Sequence, residues 1–424
     1  MPLSPERNKA EMETPLSSQA DRSDGTHLRT ADDAGNFGHD EAVARARRLA
    51  AVIREGAEEA DRTRRVCDAS IAALKRAGVF RLMAPRAFGG AQLGVATLVE
   101  TVAEIAAACA STGWVYGVLT GHSWMASLLP AQGQQEVFAD PDALIASVVR
   151  FGGERPRRVP GGFHIRNGAG KFCSGIDHAD WILLGVTVEE EGSAPAPYYL
   201  LVPRAVATVE DDWFTMGLRG TGSRSLRIAD AFVPDHRAVA IADIARGMAP
   251  GALLHDAPLY RAPFPEFLPF PLAGVPLGIA RAAIAAFAES AKVQAAAAAG
   301  DAASGGFLLR VSNASAEVDA ATALVLRNAA EIDSRGDGGQ TPALDRARYV
   351  RDIAHAANRC RDAVNALFEA SGGSAIYDSF PLQRLWRDIN AAAAHNSFLR
   401  DRTAMPFGRA MLGLPDSGRD RIGH

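Results

Sequence analysis

Trp213-Phe-Thr-Met-Gly-Leu-Arg-Gly-Thr-Gly-Ser-Arg-Ser225 sets three glycines, arginine and several hydroxyls into a turn between two apolar, strand-like runs. With no Cβ in the way at the glycines, backbone N–H groups in such a turn can face the polar edge of a ligand. The same spacing also fits an ordinary glycine-rich hairpin. Its meaning therefore depends on the rest of the chain.

The chain has 424 residues, 48% of them hydrophobic and 22% charged, enough for two or three domains with sizeable cores. A formal net charge of -4 gives no overall bias towards nucleic acid or anionic lipid and favours work on small molecules. The N-terminus lacks an apolar signal-like core, and no uninterrupted apolar run reads as long enough to span a bilayer. Cys67, Cys109, Cys173 and Cys360 lie far apart, with no Cys-x-x-Cys pair and no histidine spacing that builds a zinc site. A protein of the reducing cytoplasm, with no metal centre, no membrane and no nucleic-acid partner, is expected.

Residues 1–38 are rich in Pro, Ser, Thr, Asp, Glu and Gly and carry almost no apolar periodicity, the composition of a flexible leader. From there Val43, Ala46, Leu49, Val52 and Ile53 recur at helical spacing, as do Ile71, Leu74 and Val79, with Gly78 as a stop signal. A third helix runs through Leu98, Val102 and Ile105. The stretch Ser111–Leu129 is apolar nearly all round and aromatic, so it reads as a helix buried on several sides. Helical residues 39–140 thus form a first domain.

Over 141–245 the period shifts towards two, with Gly, Pro and Asp clusters about every ten residues, as in an antiparallel sheet domain. The expected strands are Leu144–Arg150, Gly162–Asn167, Trp181–Val188, Tyr198–Val202, Val206–Glu210 and Leu226–Val233. Across 246–424 helical periodicity returns. Turn signals at Ser304-Gly-Gly306, Asp337-Gly-Gly339 and Ser371-Gly-Gly373 divide it into a four-helix block, and the alanine run Ala295–Ala299 reads as strong helix former. The architecture is α+β: helical, β, helical.

Familiar catalytic signatures are missing. No Gly-x-Gly-x-x-Gly opens a helix, Gly168-Ala-Gly-Lys171 lacks the first glycine and the hydroxyl of a P-loop, and His-Glu-x-x-His and Gly-x-Ser-x-Gly are absent. Asp177-His-Ala-Asp180 has the spacing of a hydrogen-bonded turn. Three polar residues stand in apolar surroundings: His122 in the aromatic helix, Ser174 in Phe172-Cys-Ser-Gly175, and His395 after an alanine-rich face. Each alone is compatible with a satisfied core residue. Histidine is nevertheless the side chain best suited to holding or moving a proton near neutral pH, and small alanines beside it leave room for something flat. Trp114, Tyr116, Trp124 and Phe270 are candidates for an aromatic pocket and equally for core.

Together these segments resemble the acyl-CoA dehydrogenase superfamily from about Asp40 onward. The carriers are Gly217-Leu-Arg-Gly-Thr-Gly-Ser223, Ala231-Phe-Val-Pro-Asp-His236, Phe172-Cys-Ser-Gly-Ile-Asp-His-Ala-Asp-Trp181 and Val275-Pro-Leu-Gly-Ile-Ala-Arg-Ala-Ala283. Within it, Ser-Gly-x-Asp-His-x-Asp-Trp and Arg-Asp-Ile-x-x-Ala-x-x-His are similar to the two-component flavin-dependent monooxygenases that act on 4-hydroxyphenylacetate, steroid phenols and dibenzothiophene. The resemblance implies a subunit of helical domain, central β-barrel and C-terminal four-helix bundle, assembled as a homotetramer. It also implies reduced FMN or FAD from a separate flavin reductase, and molecular oxygen as co-substrate.

By the same resemblance, oxygen adds to the flavin C4a and the C4a-hydroperoxyflavin hydroxylates a small or polycyclic aromatic substrate. Ser174 is then the hydroxyl on flavin N5, with Cys173 standing where many relatives carry a second serine. His395 belongs to the C4a region, His122 and Ser147 to the substrate side with Trp124 as a further wall, and Arg219, Thr221, Ser223 and Trp181 to the flavin. N- or S-oxygenation in the same branch is the nearest alternative, and a non-catalytic binding relative a remoter one. For the parent dehydrogenase reaction the resemblance asks for a carboxylate base; none lies in Ala391–His395, which leaves Glu266, ahead of the Pro-Leu-Gly helix, as the candidate.

Overall fold

The structure, a computed structural model, describes residues 36–297, 305–335 and 341–415. Most of the expected leader, the end of the Ala295–Ala299 run and the Asp337-Gly-Gly339 turn lie outside them. Phe37, assigned by composition to the leader, is buried, with the Arg45 guanidinium 4.1 Å from its ring centre.

The first helical pattern folds as three short helices, His39–Arg48, Ala50–Glu55 and Ala57–Thr63, instead of one. Gly56 sits at a break because a Cβ there would lie 2.3 Å from Cys67 Sγ. Helix Asp68–Arg76 carries Ile71 and Leu74, and Gly78 follows it at φ 70°, the left-handed position that ends many helices. The Val95–Ala108 and Ala110–Ala126 helices form the centre of this part, and in the second every residue except Val118 and His122 is buried.

The middle of the chain is the expected β-barrel region, built as two sheets. One has four strands in the order Ile145–Val148, Trp181–Val188, Ala196–Pro203, Ala238–Ala240. Its first pair is parallel, unlike the antiparallel arrangement expected from the turn spacing, because the chain crosses the other sheet before returning beside it. The second sheet centres on the antiparallel strands Gly162–Cys173 and Arg224–Pro234. The expected Val206–Glu210 strand shrinks to Thr208–Val209 at its edge. The sheets approach closely where glycine faces a branched side chain: a Cβ on Gly170 would lie 2.3 Å from Val148 Cγ1.

Among the described residues, the C-terminal block has the four expected helices, Phe270–Ala297, Gly305–Ser334, Ala343–Ala370 and Pro381–Ala393, and a shorter fifth, Arg400–Met411. The first of them joins the two helical regions. Gly274 and Gly278 let it pass directly over Val95–Ala108, since a Cβ at either would lie 2.3 Å from the carbonyl oxygens of Val99 and Ala103 respectively. Contrary to the reading of the sequence, Phe270–Lys292 is long and apolar enough to cross a bilayer by length and composition. Its most apolar 18-residue stretch is 72% buried inside the protein, where it serves as a core helix.

Candidate active site

The register of the Gly162–Cys173 strand breaks between Gly170 and Cys173, a bulge that re-aims the residues after it. Phe172 is thrown to φ 63°, a backbone conformation unusual for an aromatic residue, and its ring is 69% exposed, meeting Trp213 edge-on at 6.0 Å. Cys173 turns inward and has no exposed surface, and burial pushes its thiol far up. Ser174 follows at the open end. The sequence offers no sign of this bulge, so Phe172 went without a role there.

Around Ser174 the glycine-rich turn supplies hydroxyls. Ser174 Oγ lies 2.7 Å from Ser223 Oγ, and Ser223 Oγ lies 2.7 Å from Thr221 Oγ1. Thr221 donates to the Leu218 carbonyl at 2.9 Å, and Gly175 N donates to the Thr221 carbonyl at 2.9 Å, so loop and bulge are stitched together. Trp114, from the aromatic helix, donates its indole N–H to Ser174 Oγ at 3.1 Å. Leu218 adopts φ 51°, and its N–H donates to Asp388 Oδ1 at 2.6 Å. Asp388 was not among the expected site residues. Its carboxyl is pushed up to about 6 by burial, against the favourable Leu218 N–H, with Asp61 adding to the rise.

His395 stands beside Trp114, the two rings edge-on with centres 5.4 Å apart. Its Nδ1 accepts from the Ser397 N–H at 3.2 Å, which leaves hydrogen on Nε2 in the neutral ring. His122 has the reverse arrangement: Nδ1 faces the Ile145 carbonyl at 2.8 Å and must donate, leaving Nε2 as an acceptor. Each ring keeps a partly accessible surface but lies deep enough that burial pushes its pKa down to about 4. Both are neutral at pH 7. The strand that anchors His122 also carries the buried Ser147, two residues beyond Ile145.

Other expected site residues are placed differently. Trp124 is fully buried, donates to the Leu259 carbonyl and stacks on Phe267, so no face is left for a substrate. Tyr116 and Phe270 are likewise completely enclosed, and of the four candidate pocket aromatics only Trp114 reaches the cluster. Trp181 lies under the Arg237 guanidinium, 5.1 Å from its ring centre, and shares no hydrogen bond with the hydroxyls. Arg219 donates from Nε to the Asp61 carbonyl at 3.1 Å. Glu266 pairs with Arg346 at 3.0 Å, which opposes its use as a proton-abstracting base. The Asp177–Asp180 segment is the expected hydrogen-bonded turn: Asp177 pairs with Arg224, His178 donates to the Val66 carbonyl, and Asp180 accepts from Leu144 N–H.

A hydroxyl with one hydrogen-bonding position left, an indole, the neutral imidazole of His395 and an exposed phenyl ring fit a flat heteroaromatic group with a polar edge, whereas His122, two helical turns from Trp114, shares no contact with them. Such a flat group is the class of ligand flavin enzymes bind. Two family models match, acyl-CoA dehydrogenase N-terminal domain over residues 38–137 and acyl-CoA dehydrogenase C-terminal domain over 271–400. The HsaA oxygenase subunit of a flavin-dependent monooxygenase from Rhodococcus jostii (strain RHA1) is 35% identical, over 87% of this chain and 97% of its own. The oxygenase component of the FADH(2)-dependent resorcinol hydroxylase of Rhizobium sp. (strain MTP-10005) is also 35% identical, over 90% and 96%. The crystal structure of 3-HSA hydroxylase from Rhodococcus sp. RHA1 superposes with a TM-score of 0.85 at 32% identity, covering 91% of this chain and all of that one. The chain belongs to the acyl-CoA dehydrogenase family, among the oxygenase components of flavin-dependent monooxygenases.

Proposed function

We propose that the protein hydroxylates an aromatic substrate, using molecular oxygen and reduced FMN or FAD handed over by a separate flavin reductase. Bound reduced flavin supplies the electrons that activate oxygen. Ser174, backed by Ser223 and Thr221, holds the flavin N5 edge, Phe172 and Trp213 lie beside it, and the hydroxyl-bearing turn fixes its position. His395, edge-on to Trp114, offers its Nε2 hydrogen. His122 accepts a hydrogen bond from the hydroxyl of a phenolic substrate at Nε2 and so orients and polarises the ring to be oxidised. Its neutral state at pH 7 keeps that lone pair available.

The observation that carries this reading is the pairing of opposite imidazole tautomers about one helix. His122 lies eight residues beyond Trp114, about 12 Å along the helix axis, which spaces a substrate ring from the flavin edge. The direct test supplies reduced flavin and oxygen with a panel of phenols and non-phenolic rings, and measures hydroxylated product per flavin oxidised. Coupled product from phenols and its fall in His122→Leu support the reading; equal turnover of rings without an ionisable hydroxyl overturns it. We further assign the chain to the cytoplasm and to a homotetramer, with the exposed Leu308, Leu309, Met405 and Leu412 offering apolar surface for assembly. Light scattering of the purified protein tests the assembly.

A further inference from the structure

Every side of the Ala110–Ala126 helix is packed against a neighbour except one. Gly117 and Gly121 meet the Phe270–Ala297 helix, because a Cβ on them would lie 2.0 Å from the Pro271 carbonyl oxygen and 2.6 Å from Pro271 Cγ respectively. Tyr116 turns elsewhere, its hydroxyl 3.1 Å from Thr101 Oγ1. Val115 and Leu119 are each 1% exposed and pack at the bulge, where a Cβ on Gly175 would lie 3.0 Å from Val115 Cγ1 and 3.3 Å from Leu119 Cδ2. What remains is Trp114, Val118 and His122, which a spacing of four residues stacks along one face.

That face carries the open surface of the helix. Within it only Val118 and His122 are not buried. Trp114 bonds Ser174 at one end of the stripe, and His122 bonds the Ile145 carbonyl at the other. Val118 stands midway, about 6 Å along the axis from each. It is also stiff: a β-branched side chain in a helix keeps one χ1 rotamer, so its methyl groups cannot swing aside as a methionine chain does. A ring whose hydroxyl bonds His122 Nε2 and whose reacting carbon points towards the Ser174 end must lie over those methyl groups.

We infer that Val118 is a specificity-determining residue, a fixed apolar step that sets how bulky a ring system fits between the Ser174 end of the stripe and His122. It touches no proton and no polar edge, so its effect falls on the choice among rings and not on flavin affinity. This inference rests on the aromatic-hydroxylation reading above and adds the side chain that gauges the substrate.

The test uses phenol, naphthol and phenanthrol with the full chain, measuring affinity by equilibrium dialysis and, with reduced flavin and oxygen, kcat/KM for coupled product. Val118→Ala raises the naphthol-to-phenol ratio in both measurements by about tenfold, and Val118→Phe lowers it by about tenfold or more, the value of one methylene of space in an apolar pocket. Phenanthrol follows naphthol with a larger change, and the dissociation constant for reduced flavin stays that of wild type. Val118→Ala decides alone if Val118→Phe does not fold. A merely structural role lowers affinity and turnover for all three rings alike, and an unchanged ratio in a folded variant overturns the inference. If wild type binds the rings but oxidises none, the hydroxylation reading falls while the affinity ratios still decide the role of Val118. If wild type oxidises phenols and the variants leave the ratios alone, this inference falls by itself. Absence of binding for all three rings overturns both.

Discussion

His122 and His395 are held as opposite tautomers: Nδ1 of His122 donates to a carbonyl, whereas Nδ1 of His395 accepts from a backbone N–H. One ring presents a lone pair and the other a hydrogen, and both are kept neutral by burial. A single residue type thus fills two complementary positions, set by one backbone contact each.

For His122, loss of the acceptor should cost catalysis before it costs flavin oxidation. His122→Leu is expected to lower product formation by about two- to tenfold, the value of one hydrogen bond, while flavin is still reoxidised and hydrogen peroxide accumulates. Because the ring titrates near 4, the wild-type rate should not fall on account of His122 between pH 6 and pH 8. A product rate that drops steeply below pH 7 with the inflection of an unperturbed histidine, and loses that inflection in His122→Leu, contradicts the assignment.

Ser174 and His395 act on efficiency. Ser174→Ala and His395→Ala should each raise hydrogen peroxide released per flavin oxidised, by about two- to tenfold, the value of one hydrogen bond. Unchanged coupling in both variants removes the hydroxyl edge from the mechanism.

Stability should follow pH with a definite sign. The folded pKa values of His122 and His395 lie near 4, below the free value of 6.5, so the unfolded chain binds more protons across that interval and stability is lost as pH falls through it. Asp388 works the other way: its pKa is raised from 3.8 to about 6, so the folded state binds the extra proton there and stability is gained as pH falls. Two histidines outweigh one carboxyl. Urea denaturation midpoints of wild type should therefore decline from pH 6.5 towards pH 4.5, relative to those of a His122→Gln, His395→Gln variant. A double variant with the same slope as wild type refutes this account.

The two helical regions are joined through Asp333. Its carboxylate receives the N–H groups of Val95 at 2.6 Å and Ala96 at 2.9 Å, capping the Val95–Ala108 helix from the C-terminal block. Asp333→Ala should cost about 1–2 kcal/mol, as for removal of a helix cap, and lower the melting temperature by about 2–4 °C. Asp333→Asn, which keeps one acceptor, should lose less. Equal melting temperatures for all three proteins would show that the cap is replaceable.

The amino-acid sequence by itself determined the order helical, β, helical and the buried character of the aromatic helix. Periodicity and glycine placement are local properties, and a run such as Trp181–Val188 reads the same before and after folding. That Ser174, His395 and Thr221 serve one ligand was implied by the resemblance of their motifs to a family, and the contacts joining Ser174, Ser223 and Thr221 came only with the fold. Tertiary structure alone decided which aromatic residues are core. Trp124 and Trp114 lie on the same helix, yet one is sealed against Phe267 and the other bonds Ser174, a difference set by neighbours far away in the chain. The bulge at Phe172, the parallel pairing of Ile145–Val148 and the role of Asp388 beneath Leu218 have the same origin. The tautomers of His122 and His395 do too, because a ring's proton follows the carbonyl or N–H it meets only once the chain has folded.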